Sequence, residues 1–191
     1  NTFSLGLRYV VMFLGNDLLL SRFSFNLDLV QRVVGFVINL VGFVVVPKAF
    51  EAHFEGRERV FRRILISGAV VSGSVSIVIG VAAYGLFRYG WFGSGITAFS
   101  GVSLLIVSIG VTANRIKKMS ADPIAIKQEK AWIITLSYLI ASPIALLCAM
   151  VGFVLEYKYS AEFSYSIGYL LATGFLLLML FLNNDQKVKS L

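Results

Sequence analysis

Long apolar runs alternate with shorter polar breaks along the chain, and the runs are of similar size. They cover residues 4–20, 29–46, 64–87, 95–114, 132–155 and 163–182. Each comes close to the ~20 residues that an α-helix needs to cross the hydrocarbon of a bilayer. None shows the period-two alternation of a membrane β-barrel strand. The pattern predicts an all-α integral membrane protein: one bundle of six transmembrane helices over residues 1–191. Pro47 has no N–H to continue the backbone ladder, so the second helix is expected to end there.

The polar break at 47–63 orients the rest. It carries five basic residues, Lys48, Arg57, Arg59, Arg62 and Arg63, between two apolar runs. Lys and Arg are retained on the cytoplasmic side of a membrane, which makes this an inner loop. The break at 115–131 holds five more (Arg115, Lys117, Lys118, Lys127, Lys130), and the tail holds Lys187 and Lys189. The alternate breaks carry one each, Arg22, Arg88 and Lys158. Twelve basic residues against three places both termini in the cytoplasm. Tyr89, Trp91, Phe92, Tyr157, Tyr159 and Tyr165 gather near the expected outer ends, and Trp132 near an inner one, as interfacial aromatics do.

Composition narrows the class. Mean hydropathy is +0.83 and only 14% of residues are charged, against about 25% in soluble domains, so the solvent must be largely lipid. The net charge of +7 sits at the ends of apolar runs rather than along one face, which argues against nucleic acid as a partner. The single cysteine, Cys148, excludes an internal disulfide and any cysteine-based metal cluster. The breaks between spans on the outer side are short, which leaves little room for an extracellular receptor. No paired carboxylates lie in the spans, and there is no phosphate-cradling glycine loop, no Ser-His-Asp set and no mid-span lysine. His53, with Glu51 and Glu55, makes a weak metal site and reads as a solvated loop residue. The chain is expected to be no enzyme and to need no cofactor or metal.

A few residues stand out within the spans. Gly68, Ser72, Ser76 and Gly80 recur every four residues, a stripe that lets another helix approach closely. Pro143 is placed to kink the fifth helix, either as a hinge or as one of the prolines common in membrane helices. Asn39 must bond another helix or face water. Arg8, Asn16 and Asp17 are costly in lipid, and either snorkel to the interfaces or line a cavity. Arg8 and Asp17 are nine residues apart and fall on opposite helix faces. Arg32 follows Asp28 by four residues, the spacing of a local ion pair.

One stretch resembles a known family. A helix ending in Pro47, then Lys48, a Glu55-Gly56-Arg57-Glu58-Arg59 segment and Arg62-Arg63 before the next apolar run, is similar to the bacterial polysaccharide (O-antigen type) flippases. The second basic inner segment, two long spans and a basic tail are similar to that family's closing section. The turn after the first span, Arg22-Phe-Ser-Phe-Asn, departs from the family's Gly-Tyr-rich pattern. The resemblance implies the C-terminal half of a larger transporter in the bacterial inner membrane, working against a second six-helix bundle or a second copy. The implied task is to flip a lipid-diphosphate-linked oligosaccharide by alternating access. It makes Arg8, Arg32, Asn39 and Asp17 the candidates for the substrate, and Gly68, Ser72, Ser76, Gly80 and Pro143 those for packing and hinge motion. The competing readings are a non-catalytic membrane scaffold or subunit, and an intramembrane enzyme acting from the 48–63 segment.

Overall fold

The computed structural model describes residues 2–14, 17–88, 101–127 and 129–188, with side chains described over 4–14, 17–86, 101–127 and 129–180. Among the described residues every regular element is helical. The elements are α1 (Thr2–Phe13), α2 (Asp17–Phe54), α3 (Glu58–Arg88), α4 (Gly101–Ile116), a π-helical segment (Lys117–Ala121), α5 (Asp122–Lys127), α6 (Ala131–Val154) and α7 (Ser160–Val188). Four of these helices, α2, α3, α6 and α7, are long and apolar enough to cross a membrane.

The boundaries depart from the sequence pattern in three places. The first apolar run is two elements, not one helix over 4–20. Helix α1 stops at Phe13, and Leu18, Leu19 and Leu20 already belong to α2. In the sequence Gly15-Asn16 precedes α2, and Asp17, its first residue, is of a type that favours helix starts. At 12 residues, α1 is ~18 Å long, too short to cross a bilayer. Second, Pro47 does not end α2, which runs on to Phe54. The carbonyl that loses its bond belongs to Phe43, on the exposed side of the helix. The Ala- and Glu-containing turns that follow favour helix. Third, the two basic segments are not open loops. The first is an α2–α3 hairpin with its turn at Glu55–Arg57, and the second carries the π segment and α5.

Helix α4 is the hub, packed against α2, α3 and α7, while α6 lies along α7 and α2 along α3. The short α1 rests on α2, α6 and α7. The core is built where these meet, from Leu7 and Val11 of α1, Phe23, Leu27, Val30, Val34 and Ile38 of α2, Leu104, Val107 and Val111 of α4, and Tyr165 and Tyr169 of α7. The α2 residues follow a helical period and so give one buried face.

Close approach is set by small residues. A Cβ added at Gly68 would lie 2.6 Å from Val45 Cγ1, and one at Gly80 would lie 3.3 Å from Ser108 Cβ. Ser72 and Ser76 are buried, and Ser76 Oγ donates back to the carbonyl of Ser72. The stripe therefore faces α2 at one end and α4 at the other. Gly68→Leu is expected to lose about 1–3 kcal/mol through overpacking, whereas Val70→Leu, on the exposed side of α3, leaves stability unchanged. Reversible unfolding in detergent measures both; equal tolerance would remove the packing role of the stripe.

Three helix ends use one device. At Gly56, Glu129 and Glu156 the backbone turns left-handed, with φ of 73°, 57° and 54°. Each is closed by paired bonds, such as Tyr157 N–H to the Gly152 carbonyl at 2.8 Å and Glu156 N–H to the Phe153 carbonyl at 3.0 Å. Glycine is the usual residue there because a Cβ is crowded in that conformation. Two of the three positions carry glutamate instead.

Candidate functional site

Helix α2 has two faces of different character. One is buried in the core. The other exposes Phe25, Asp28, Arg32, Phe36, Asn39 and Phe43, at helical spacing, through the apolar stretch of the helix. Two guanidiniums come to this flank from other helices. Arg8 of α1 donates from Nη2 to Asp28 Oδ1 at 2.6 Å, while its Nε is buried with no partner among the described residues. Arg115 of α4 lies across Gly35, where a Cβ would come within 2.8 Å of its Nη2, and its Nη1 donates to Asn39 Oδ1 at 3.4 Å. The absence of a side chain at Gly35 gives Arg115 this route. Arg32 stands between them, exposed, with no hydrogen bond or ion pair among the described residues. From Asp28 to Asn39 the flank rises ~16 Å, about half the ~30 Å of bilayer hydrocarbon.

The buried face carries a polar knot near the α6–α7 turn. Arg22 of α2 grips Glu162 of α7 with two donors, Nε to Oε1 at 3.0 Å and Nη2 to Oε2 at 3.4 Å. Its Nη2 also donates to the backbone carbonyl of Lys158, and its guanidinium lies 5.3 Å from the Tyr159 ring centroid. Ser103 of α4 donates to Glu162 Oε1 at 2.6 Å and accepts from Asn26 Nδ2 at 2.6 Å. Glu162 and Asn26 are fully buried. Glu162 is in the first turn of α7, where the helix dipole favours a negative charge. The knot joins α2, α4 and α7. Next to it, Gln31 Nε2 donates to the Tyr165 hydroxyl at 3.3 Å, and Phe23 meets the Tyr165 ring edge-on.

At the other end, past α4, Lys117 is wholly buried in the π segment. Its Nζ donates to Asp122 Oδ1 at 2.9 Å and lies 4.1 Å from the Tyr138 ring centroid. Burial pushes its amine below the usual lysine range, and Asp122 opposes that shift. Tyr138 in turn donates to Asn114 Oδ1 at 3.0 Å. At the α2–α3 hairpin, Glu58 is shared by Lys127 of α5, Arg62 Nε at 3.2 Å and His53 Nδ1 at 3.9 Å. Among the described residues no group of three His, Cys, Asp or Glu could hold a metal.

Of the residues singled out in the sequence, Arg8, Arg32 and Asn39 share the exposed α2 flank, and Asp17 is exposed at the first turn of that helix. The local Asp28–Arg32 pair does not form, because Arg8 takes Asp28. Pro143 is exposed on an α6 that continues unbroken from Ala131 to Val154. Asn16, the aromatics at 89–92 and the start of the fourth predicted span at 95–100 lie outside the described residues. Arg22, Asn26, Ser103, Arg115 and Glu162 were not singled out. By position in the sequence, Arg22 and Arg115 fall among the charges between apolar runs. A signal was present in the four-residue spacing of Arg22 and Asn26, and in Glu162, Tyr165, Tyr169 and Thr173 along one helix face.

Comparisons with protein-family models, with curated proteins and with solved structures find no match.

Proposed function

We propose that the bundle is one wall of a hydrated path through the bacterial inner membrane, along which an amphipathic anion is moved by alternating access. A lipid-diphosphate-linked oligosaccharide has the required chemistry. Its opposite wall would be a second bundle, either another part of a larger transporter or a second copy. One observation carries this reading. Arg32 and Asn39 lie on the exposed flank of α2, the half-buried Arg8 and Arg115 reach it from α1 and α4, and among the described residues Asp28 is the carboxylate paired there. Such groups are too costly to face lipid and normally meet water, a partner or an anion. Arginine suits a diphosphate because its planar fork can bond two oxygens at once. Groups spaced along the helix axis would pass an anion from one to the next, while Phe36 between them and Phe25 and Phe43 at either end offer surface to the apolar part of the same molecule.

Binding of a polyprenyl-diphosphate sugar to the purified protein tests this. Arg32→Ala and Arg115→Ala are each expected to weaken binding about tenfold, the loss of one charge-assisted bond. The Lys variants should lose less, and all should insert normally. Unchanged binding in both Ala variants would overturn the proposal.

A further inference from the structure

A separate recess lies at the α6–α7 turn, beside the start of α2. It has a volume of about 530 Å3, with Leu14, Leu19, Phe153 and Val154 as its apolar lining and Glu156, Tyr157 and Lys158 as its polar rim. We infer that it binds the zwitterionic headgroup of a phospholipid, an ethanolamine phosphate, with the first methylenes of the lipid chains on the apolar lining.

Charge complementarity carries the argument. The rim presents one carboxylate and one ammonium, two residues apart and both exposed. They form no ion pair with each other, and among the described residues neither meets a group of opposite charge. Lys158 Nζ lies over the Tyr159 ring, 5.7 Å from its centroid, which leaves the ammonium without a counter-charge among the described residues. A molecule with a phosphate and an ammonium one short linker apart satisfies both, the phosphate at Lys158 and the ammonium at Glu156. Tyr157, which also lines the recess, supplies an aromatic ring of the kind that attracts cations. The turn joins two helices long and apolar enough to cross a membrane, and the ends of such helices belong near lipid headgroups.

A second observation concerns Glu156 itself. It occupies a left-handed position that the equivalent turn at Gly56 fills with glycine. A side chain there is crowded, as it also is at Glu129, so glycine suits the backbone at position 156. The recess is also coupled to the interior, because the Lys158 carbonyl is one of the acceptors that hold Arg22 in the buried knot.

The test is native mass spectrometry of the purified protein with phosphatidylethanolamine, phosphatidylglycerol and glycerophosphoethanolamine. The two lipids carry the same acyl chains. The protein should retain phosphatidylethanolamine about tenfold better than phosphatidylglycerol, and Glu156→Gly and Lys158→Ala should each abolish that preference. Glu156→Gly should melt no lower than the parent, since glycine suits the backbone there, so loss of lipid would not reflect loss of fold. The chain-free glycerophosphoethanolamine should compete only weakly. Equal retention of both lipids, a Glu156→Gly variant that keeps the preference or melts lower, or full competition by the chain-free headgroup would each overturn the inference.

Discussion

Glu162→Ala is expected to destabilise the fold by about 3–5 kcal/mol, the cost of leaving a buried cation without its partner. The substitution leaves Arg22, whose side chain is 8% exposed, with the Lys158 carbonyl and the Tyr159 ring but without the counter-charge that two of its donors meet. It also removes the acceptor for Ser103, which holds Asn26, so three helices lose a shared anchor. Glu162→Gln keeps an oxygen for Arg22 and lies between the two. The double variant Glu162→Gln with Arg22→Met should recover much of the loss, because removing both charges abolishes the unpaired one. Unfolding in mild detergent with increasing SDS gives the free energies. If Glu162→Ala unfolds with the parent, the knot contributes nothing and the helices are held by apolar packing alone.

Gly110→Leu should be nearly as damaging, and for a steric reason. A Cβ at residue 110 would lie 2.8 Å from Ser166 Cα and 2.8 Å from Tyr165 Cδ1. One of those atoms is backbone and cannot swing aside. Even Ala must push α4 from α7, at about 1–3 kcal/mol, and Leu should exceed that range. The same strain reaches Ser166, which donates to the Ile106 carbonyl across the interface. Gly42 and Gly174 serve as controls. Neither would bring a new Cβ within 4 Å of a neighbour, so Ala there should be neutral or stabilise by up to about 1 kcal/mol through helix propensity. Thermal unfolding of the four variants separates the cases, and a Gly110→Ala protein as stable as the Gly42→Ala one would remove the close contact.

The helical class and the ends of α6 were legible because a long apolar run has only one way to satisfy its backbone in lipid. Residues 132–155 were read as a span, and α6 covers Ala131–Val154. The start of α2 and its passage through Pro47 were not legible. Both depend on competition between local breakers and the packing of a long helix, and a hydropathy window averages over that competition. Side-chain pairing was still less accessible. Asp28 has Arg32 one turn away, yet it pairs with Arg8, a choice made by how α1 folds back on α2. Arg115 looked like an ordinary interfacial charge until the missing side chain of Gly35 let it cross to Asn39. Charges at the ends of apolar runs serve both as topology signals and as interior partners, and sequence spacing alone does not separate these uses.

The length of α2 has a mechanical consequence. Its 38 residues make a rod ~57 Å long, well beyond the ~30 Å of hydrocarbon, and its far end is stiffened by the hairpin to α3. A rod that pivots within the bilayer magnifies small rotations at its projecting tip. A change in tilt of about 10°, within the range that membrane helices occupy, moves a point roughly 30 Å from the pivot by about 5 Å. The Glu55–Arg57 turn therefore follows the slope of the helix that carries Arg32 and Asn39 as far as the helix stays straight through Pro47.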